Sequence, residues 1–209
     1  MSANTFATVR AIAVVVISVF IMLRAFQVYA QTRSTRLLVL GLTMVMIVVT
    51  TIADVTGNNI TFHLNAYWFN YVGQTVAFAF FFLSLINSSE AYLRKLVRWQ
   101  IALSALLFIL LIEGPALPHA FPTLGLLRAI FSSGRALPCF FICLYYFAAF
   151  VKKETRFSLL MGAGFVIIGL GYYMIFPRYI EPPSYAIQTA GDYLRIIGNA
   201  MLLVAMIWG

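Results

Sequence analysis

The sequence predicts an all-α integral membrane protein, a bundle of seven transmembrane helices with the N-terminus outside and the C-terminus in the cytoplasm. Three observations predict it. Of 209 residues, 63% are hydrophobic and 10% charged, where a soluble domain has about 25% charged residues. Seven apolar runs approach the roughly 20 residues that a bilayer crossing requires. The basic residues gather in alternate links between those runs, as the positive-inside rule expects of cytoplasmic loops.

The runs come in order, and together they make one domain over residues 1–209. The first spans Val9 to Tyr29 and lacks the basic leader and small-x-small cleavage site of a signal peptide. The second is Leu37 to Ala53, the third Tyr67 to Ile86 and the fourth Leu96 to Ile112. The fifth is Ser132 to Val151, with room for a helical extension back to Pro122. The sixth is Phe157 to Phe176 and the seventh Ile187 to Trp208.

Nine of the fourteen basic residues fall in or close beside one set of links: Arg24, Arg33, Arg36, Arg94, Lys95, Arg98, Lys152, Lys153 and Arg156. The opposite set is longer and richer in Gly and Pro, as in E-G-P-A-L-P-H-A-F-P and P-R-Y-I-E-P-P-S-Y. The net charge of +8 is therefore read as a topology signal rather than as a nucleic-acid footprint, and no nucleic-acid partner is expected.

Run six contains Gly162, Gly164, Gly169 and Gly171. A spacing of seven returns a residue to nearly the same helix face, and small residues let backbones approach closely, so tight helix packing is expected there. A phosphate-cradling glycine loop is excluded, because no strand precedes the segment and it is apolar throughout. Cys139 and Cys143 lie four apart within one apolar run. They imply no disulfide framework and are read as small apolar residues.

Polar residues inside the runs are the candidate site. In run seven, Gln188, Asp192, Arg195 and Asn199 fall within roughly 60° of arc at about 100° per residue. Such a stripe facing lipid would cost several kcal/mol, roughly, so it must face other helices or water. Asn70 and Gln74 line one face of run three, and Arg135 stands just inside run five with Pro138 three residues on. Asp192, Asp54 and Glu113 are the carboxylates available to pair buried arginines. Two readings of this set stay open. One is a pocket, open to the outside and lined by runs three, five and seven, where arginines grip a small anion in bidentate fashion. The other is an ion-pair network that orders the helices. Arg128 and Arg178 are expected to snorkel to headgroups, and the end-of-run aromatics, Tyr172 and Tyr173 among them, to form an interfacial belt.

Enzyme signatures are scarce. His63 and His119 sit in separate links, with no metal-ligand spacing and no Ser-His-Asp or Cys-His constellation. No catalytic residue, metal or cofactor is expected.

Two stretches carry a resemblance: N-Y-V-G-Q-T-V-A-F, Asn70 to Phe78, and D-Y-L-R-I-I-G-N-A-M-L-L, Asp192 to Leu203. With the seven-run plan, they make the chain resemble the seven-span input domains of bacterial sensor kinases and cyclic-dinucleotide synthases. The resemblance implies a non-enzymatic receptor or sensor in the cell membrane. The polar stripes, not the resemblance, supply the expected ligand-binding residues, Asn70, Gln74, Arg135, Gln188, Asp192, Arg195 and Asn199; the resemblance implies that the seventh helix feeds a fused cytoplasmic signalling domain beyond Trp208. The expected partners are the lipid bilayer and a small anionic ligand. The alternatives are an accessory subunit packed against a partner membrane protein, and a small transporter or channel. The near-absence of polar residues from Leu37 to Ile47, where Thr43 stands alone, weighs against transport.

Overall fold

The computed structural model describes residues 3–59, 66–113, 129–130, 133–174, 176 and 185–208. They form seven helices long and apolar enough to cross a membrane: α1 (Ala3–Thr32), α2 (Thr35–Asn59), α3 (Ala66–Ile86), α4 (Glu90–Glu113), α5 (Ala136–Lys153), α6 (Arg156–Tyr173) and α7 (Tyr185–Trp208). No described residue lies in a strand. The contacts cluster into two compact units, Met1–Thr123 and Leu124–Gly209.

Helix ends follow capping chemistry rather than hydropathy, which moves several boundaries. α1 stops where Arg33 enters the left-handed region (φ 56°) and its N–H donates to the Tyr29 carbonyl at 2.7 Å, the αL termination motif. α5 ends in the same way: Glu154 has φ 50° and its N–H reaches the Phe150 carbonyl at 2.6 Å. Thr155 then caps α6, its Oγ1 accepting from the Ser158 N–H at 3.4 Å.

α4 begins at Glu90, six residues before the apolar run at Leu96. The Ser89 carbonyl accepts from the Leu93 N–H at 3.0 Å, and Glu90 suits the positive end of the helix dipole. α5 begins later than its apolar run. Helical backbone at 129–130 and 133–134 gives way to a turn at Arg135. Pro138 has no N–H to donate to the carbonyl four residues back and crowds that carbonyl. It therefore occupies the first helical turn, where that donor would have no intrahelical partner anyway.

In the first unit, α2 touches α1, α3 and α4. Its apolar window is 56% buried against 17% for α1, so α2 is the axis around which the unit packs. Met46, Phe69, Ala77, Leu107 and Leu111 form a core among α2, α3 and α4. Polar contacts at three places, two of them buried, tie these helices together. Thr43 Oγ1 lies 2.9 Å from the Val39 carbonyl and 3.1 Å from the Ala77 carbonyl, and accepts from Gln100 Nε2 at 3.3 Å. Gln74 Nε2 donates to Thr50 Oγ1 at 3.2 Å. Thr35 Oγ1 donates to Glu90 Oε1 at 2.5 Å.

In the second unit, α6 lies between α5 and α7, and its glycines explain how closely. The pairs Gly162/Gly169 and Gly164/Gly171 occupy two faces, because positions two apart differ by about 200° on a helix. A Cβ on Gly162 or Gly169 would meet the rings of Phe147 or Phe140 of α5, at 3.0 Å and 3.1 Å. A Cβ on Gly164 would come within 3.1 Å of the Gly198 carbonyl oxygen, and one on Gly171 within 2.7 Å of that of Gly191. The antiparallel α6–α7 contact thus sets glycine against glycine, twice, seven residues apart on each helix. The close packing expected of run six is present, and α7 supplies the matching half of it.

Candidate functional site

The second unit brings two of the candidate residues, Arg135 and Arg195, to one aromatic ring. Arg135 stands at the N-terminal cap of α5, in αR geometry and without a side-chain cap bond. It is only 2% exposed, the largest of the fully buried side chains. A cation at that end of a helix opposes the dipole, so its stabilisation must come from elsewhere. Its guanidinium carbon lies 4.4 Å from the centre of the Tyr172 ring on α6. Arg195 of α7 approaches the same ring, at 5.2 Å. A desolvated cation–π contact of this kind is worth about 2 kcal/mol or more.

α7 builds its part by helical spacing. Arg195 Nη2 donates to Asp192 Oδ1 in an i,i+3 ion pair with both side chains largely buried. Asn199, buried, turns its Nδ2 back to the Arg195 carbonyl at 2.8 Å. Gly171 admits Arg195: a Cβ there would fall 2.7 Å from the Arg195 Cγ. The same glycine contact that brings α7 against α6 therefore brings Arg195 to Tyr172, one residue along.

The arrangement places two guanidinium groups, one carboxylate and one phenol at the junction of three helices. Guanidinium groups present fixed N–H forks to carboxylates and phosphates, and an aromatic face orients them at low entropic cost. Asp192 offsets one of the two positive charges, so the cluster keeps a net positive charge. Cys139 and Cys143 of α5 are free thiols, both buried. Among the described residues, no three His, Cys, Asp or Glu side chains come together as a metal site would require.

The sequence-predicted residues divide between the units. In the second, Arg135 and Arg195 meet at Tyr172, Asp192 pairs with Arg195, and Asn199 bonds the Arg195 backbone carbonyl one turn further along α7. Gln188 lies in the helical backbone of α7, but its side chain falls outside the described residues, as do His63, His119, Arg128 and Arg178. Asn70 and Gln74 belong to the first unit. Gln74 is buried and holds Thr50 of α2. Asn70 is half-buried, and its Oδ1 has no hydrogen-bond partner among the described residues.

Tyr172 is the residue that sequence reasoning missed as a member of the site. Its position near the end of run six marked it as an interfacial aromatic, yet it is buried while its neighbour Tyr173 is 59% exposed. The available signal was adjacency to Gly171, whose face is turned toward α7. No family model, no curated protein and no solved structure matches the chain.

Proposed function

We propose that the chain is a non-enzymatic receptor or sensor domain that crosses a cell membrane seven times. A small anionic ligand binds at the Arg135–Tyr172–Arg195 cluster, and α7 carries the response. The observation that supports this reading is the meeting of two arginines from two helices on one buried ring, with Asp192 paired to one of them. The seven apolar helices support the membrane part. The basic residues at the α1–α2, α3–α4 and α5–α6 links support an outer N-terminus and a cytoplasmic C-terminus. The cluster then faces the outside, and α7 runs inward from it.

An accessory subunit would offer a small-residue face to a partner helix. The four glycines of α6 that best suit that role already face α5 and α7, which favours the receptor reading.

The test uses the full chain in detergent micelles and follows its melting temperature against a panel of small carboxylates, phosphates and sulfonates. One class is expected to stabilise the protein, and Arg135→Gln and Arg195→Gln are each expected to abolish that stabilisation. If no anion stabilises the wild-type chain, while both variants lower its melting temperature, the cluster is a helix-ordering network and the ligand reading is lost.

A further inference from the structure

A second group of charged residues lies within the first unit, where α1 ends and α2 and α4 begin. The end of α1 and the beginnings of α2 and α4 border an open cleft of about 370 Å³, lined by Arg33, Thr35, Glu90, Arg94 and Arg98 with Leu38 and Val97. That volume lies within the range of small-ligand sites. We propose that this cleft binds a phosphate group, carried by an anionic lipid headgroup or by a small soluble phosphate.

Charge makes the first part of the argument. Arg33, Arg94 and Arg98 line the cleft with Glu90 as the sole carboxylate of the lining. Glu90 accepts from the Thr35 hydroxyl at 2.5 Å and lies 3.9 Å from Arg94 Nε, so it offsets one of the three arginines and leaves the lining net positive. Neither Arg33 nor Arg98 forms a salt bridge among the described residues. Arg94 and Arg98 stand one helical turn apart on α4, an unfavourable spacing for like charges. Both α2 and α4 begin here, and their two positive dipole ends exceed the one negative end that α1 brings. A phosphate offsets all of these terms, and guanidinium forks match its oxygens.

Backbone geometry makes the second part. Arg33 is held in the left-handed region (φ 56°), with its N–H fixed to Tyr29 at 2.7 Å. The tight two-residue link therefore sets where its side chain leaves the chain, instead of leaving a basic residue on a loose loop. Leu38 and Val97 give the same cleft an apolar wall beside the cations, which suits the glycerol and first methylenes of a lipid. The lipid source rests on the membrane reading above, where this end is the cytoplasmic interface; the soluble source does not.

The experiment compares the full wild-type chain with Arg94→Gln/Arg98→Gln and, as a control, with Lys152→Gln/Lys153→Gln at the exposed basic end of α5. Binding is read by native mass spectrometry from micelles doped with phosphatidylglycerol or phosphatidylcholine, and by melting temperature with glycerol 3-phosphate or inorganic phosphate. Two arginines near a membrane surface contribute about 2 kcal/mol, so the cleft variant should lose about 30-fold in phosphatidylglycerol affinity. The lysine variant should retain it, and Arg94→Lys/Arg98→Lys should recover part of it, which separates charge loss from misfolding. Retention of phosphatidylglycerol with no response to soluble phosphate identifies a lipid site. A response to soluble phosphate that the cleft variant loses identifies a free-phosphate site. No binding of either probe, or an equal loss in the lysine control, overturns the proposal. Because Arg135 and Arg195 are untouched, neither outcome depends on the anion test at the Tyr172 cluster.

Discussion

Gly191 of α7 faces Gly171 of α6 so closely that a Cβ on Gly191 would stand 2.8 Å from the Gly171 carbonyl oxygen. That atom is backbone and cannot swing aside. Between lipid-embedded helices, close packing of this kind replaces the hydrophobic effect as the source of association. Gly171→Ala would place its methyl 2.7 Å from the Gly191 carbonyl oxygen and equally near the Arg195 Cγ. It is expected to destabilise the protein by about 1–3 kcal/mol, the usual cost of overpacking. Gly134→Ala is the counterpart: nothing lies within 4 Å of its added Cβ and the residue is helical. It should stabilise by about 0.5–1 kcal/mol. Detergent-denaturation midpoints of the two variants should move in opposite directions, and a harmless Gly171→Ala would show that α6 and α7 do not pack this tightly.

Tyr172 offers its ring to two cations, and the ring face rather than the hydroxyl is the shared element. Tyr172→Phe keeps the face, whereas Tyr172→Leu removes it from both arginines at similar apolar bulk. The Leu variant is expected to lose about 2 kcal/mol or more, and the Phe variant clearly less. Equal losses in the two would assign the stabilisation to the phenol oxygen. The same pair bears on ligand binding. If an anion stabilises the wild type, the Phe variant should keep most of that response and the Leu variant little of it.

Much of this was legible in the sequence, for physical reasons that also mark where legibility ended. Seven apolar runs became seven helices because a span's length and polarity are local properties. Gly164 and Gly171 foretold a close helix contact because their spacing is a property of one helix. What faced them was a matter of register, so Gly191 and Gly198 went unread. Asp192, Arg195 and Asn199 were found together because one helix stripe holds all three. Tyr172 was passed over because an aromatic near a span end has the same sequence signature whether it faces headgroups or a buried guanidinium. The start of α5 was misplaced for a similar reason: hydropathy does not see that Pro138 removes a donor, and the turn falls at Arg135. The start of α4 was read late because Glu90, Arg94 and Lys95 are polar yet helical.

Glu154 closes α5 in the left-handed region, where a side chain is disfavoured by about 1–2 kcal/mol. Glycine meets no such penalty, although it gives the unfolded chain more freedom. Glu154→Gly should therefore stabilise the protein, by roughly 0.5–1 kcal/mol after that offset. Glu154→Ala, which keeps a Cβ, should not. Thermal unfolding of the two variants side by side separates the backbone effect from loss of the carboxylate, since both remove the charge. A gain in the Ala variant as large as that in Gly would mean that the charge, not φ, was the source.

Thr43 and Gln100 join α2 to α4 through a bond of 3.3 Å in a buried setting, and the two partners should not respond alike. Thr43→Val leaves the Gln100 amide nitrogen without its acceptor and leaves the Ala77 carbonyl without the hydroxyl 3.1 Å away. Stranding a buried donor costs about 1–3 kcal/mol. Gln100→Leu instead removes a group whose Oε1 already has no partner among the described residues, and Thr43 keeps its backbone acceptors. That variant is expected to be close to neutral or mildly stabilising. The double variant Thr43→Val/Gln100→Leu should then be less destabilised than Thr43→Val alone, because no amide remains to be stranded. A double-mutant cycle on denaturation free energies reads this directly, and contacting polar pairs typically couple by about 0.5–3 kcal/mol. Strict additivity would mean that the amide finds another partner when Thr43 is removed, and that this bond does not fix α4 against α2.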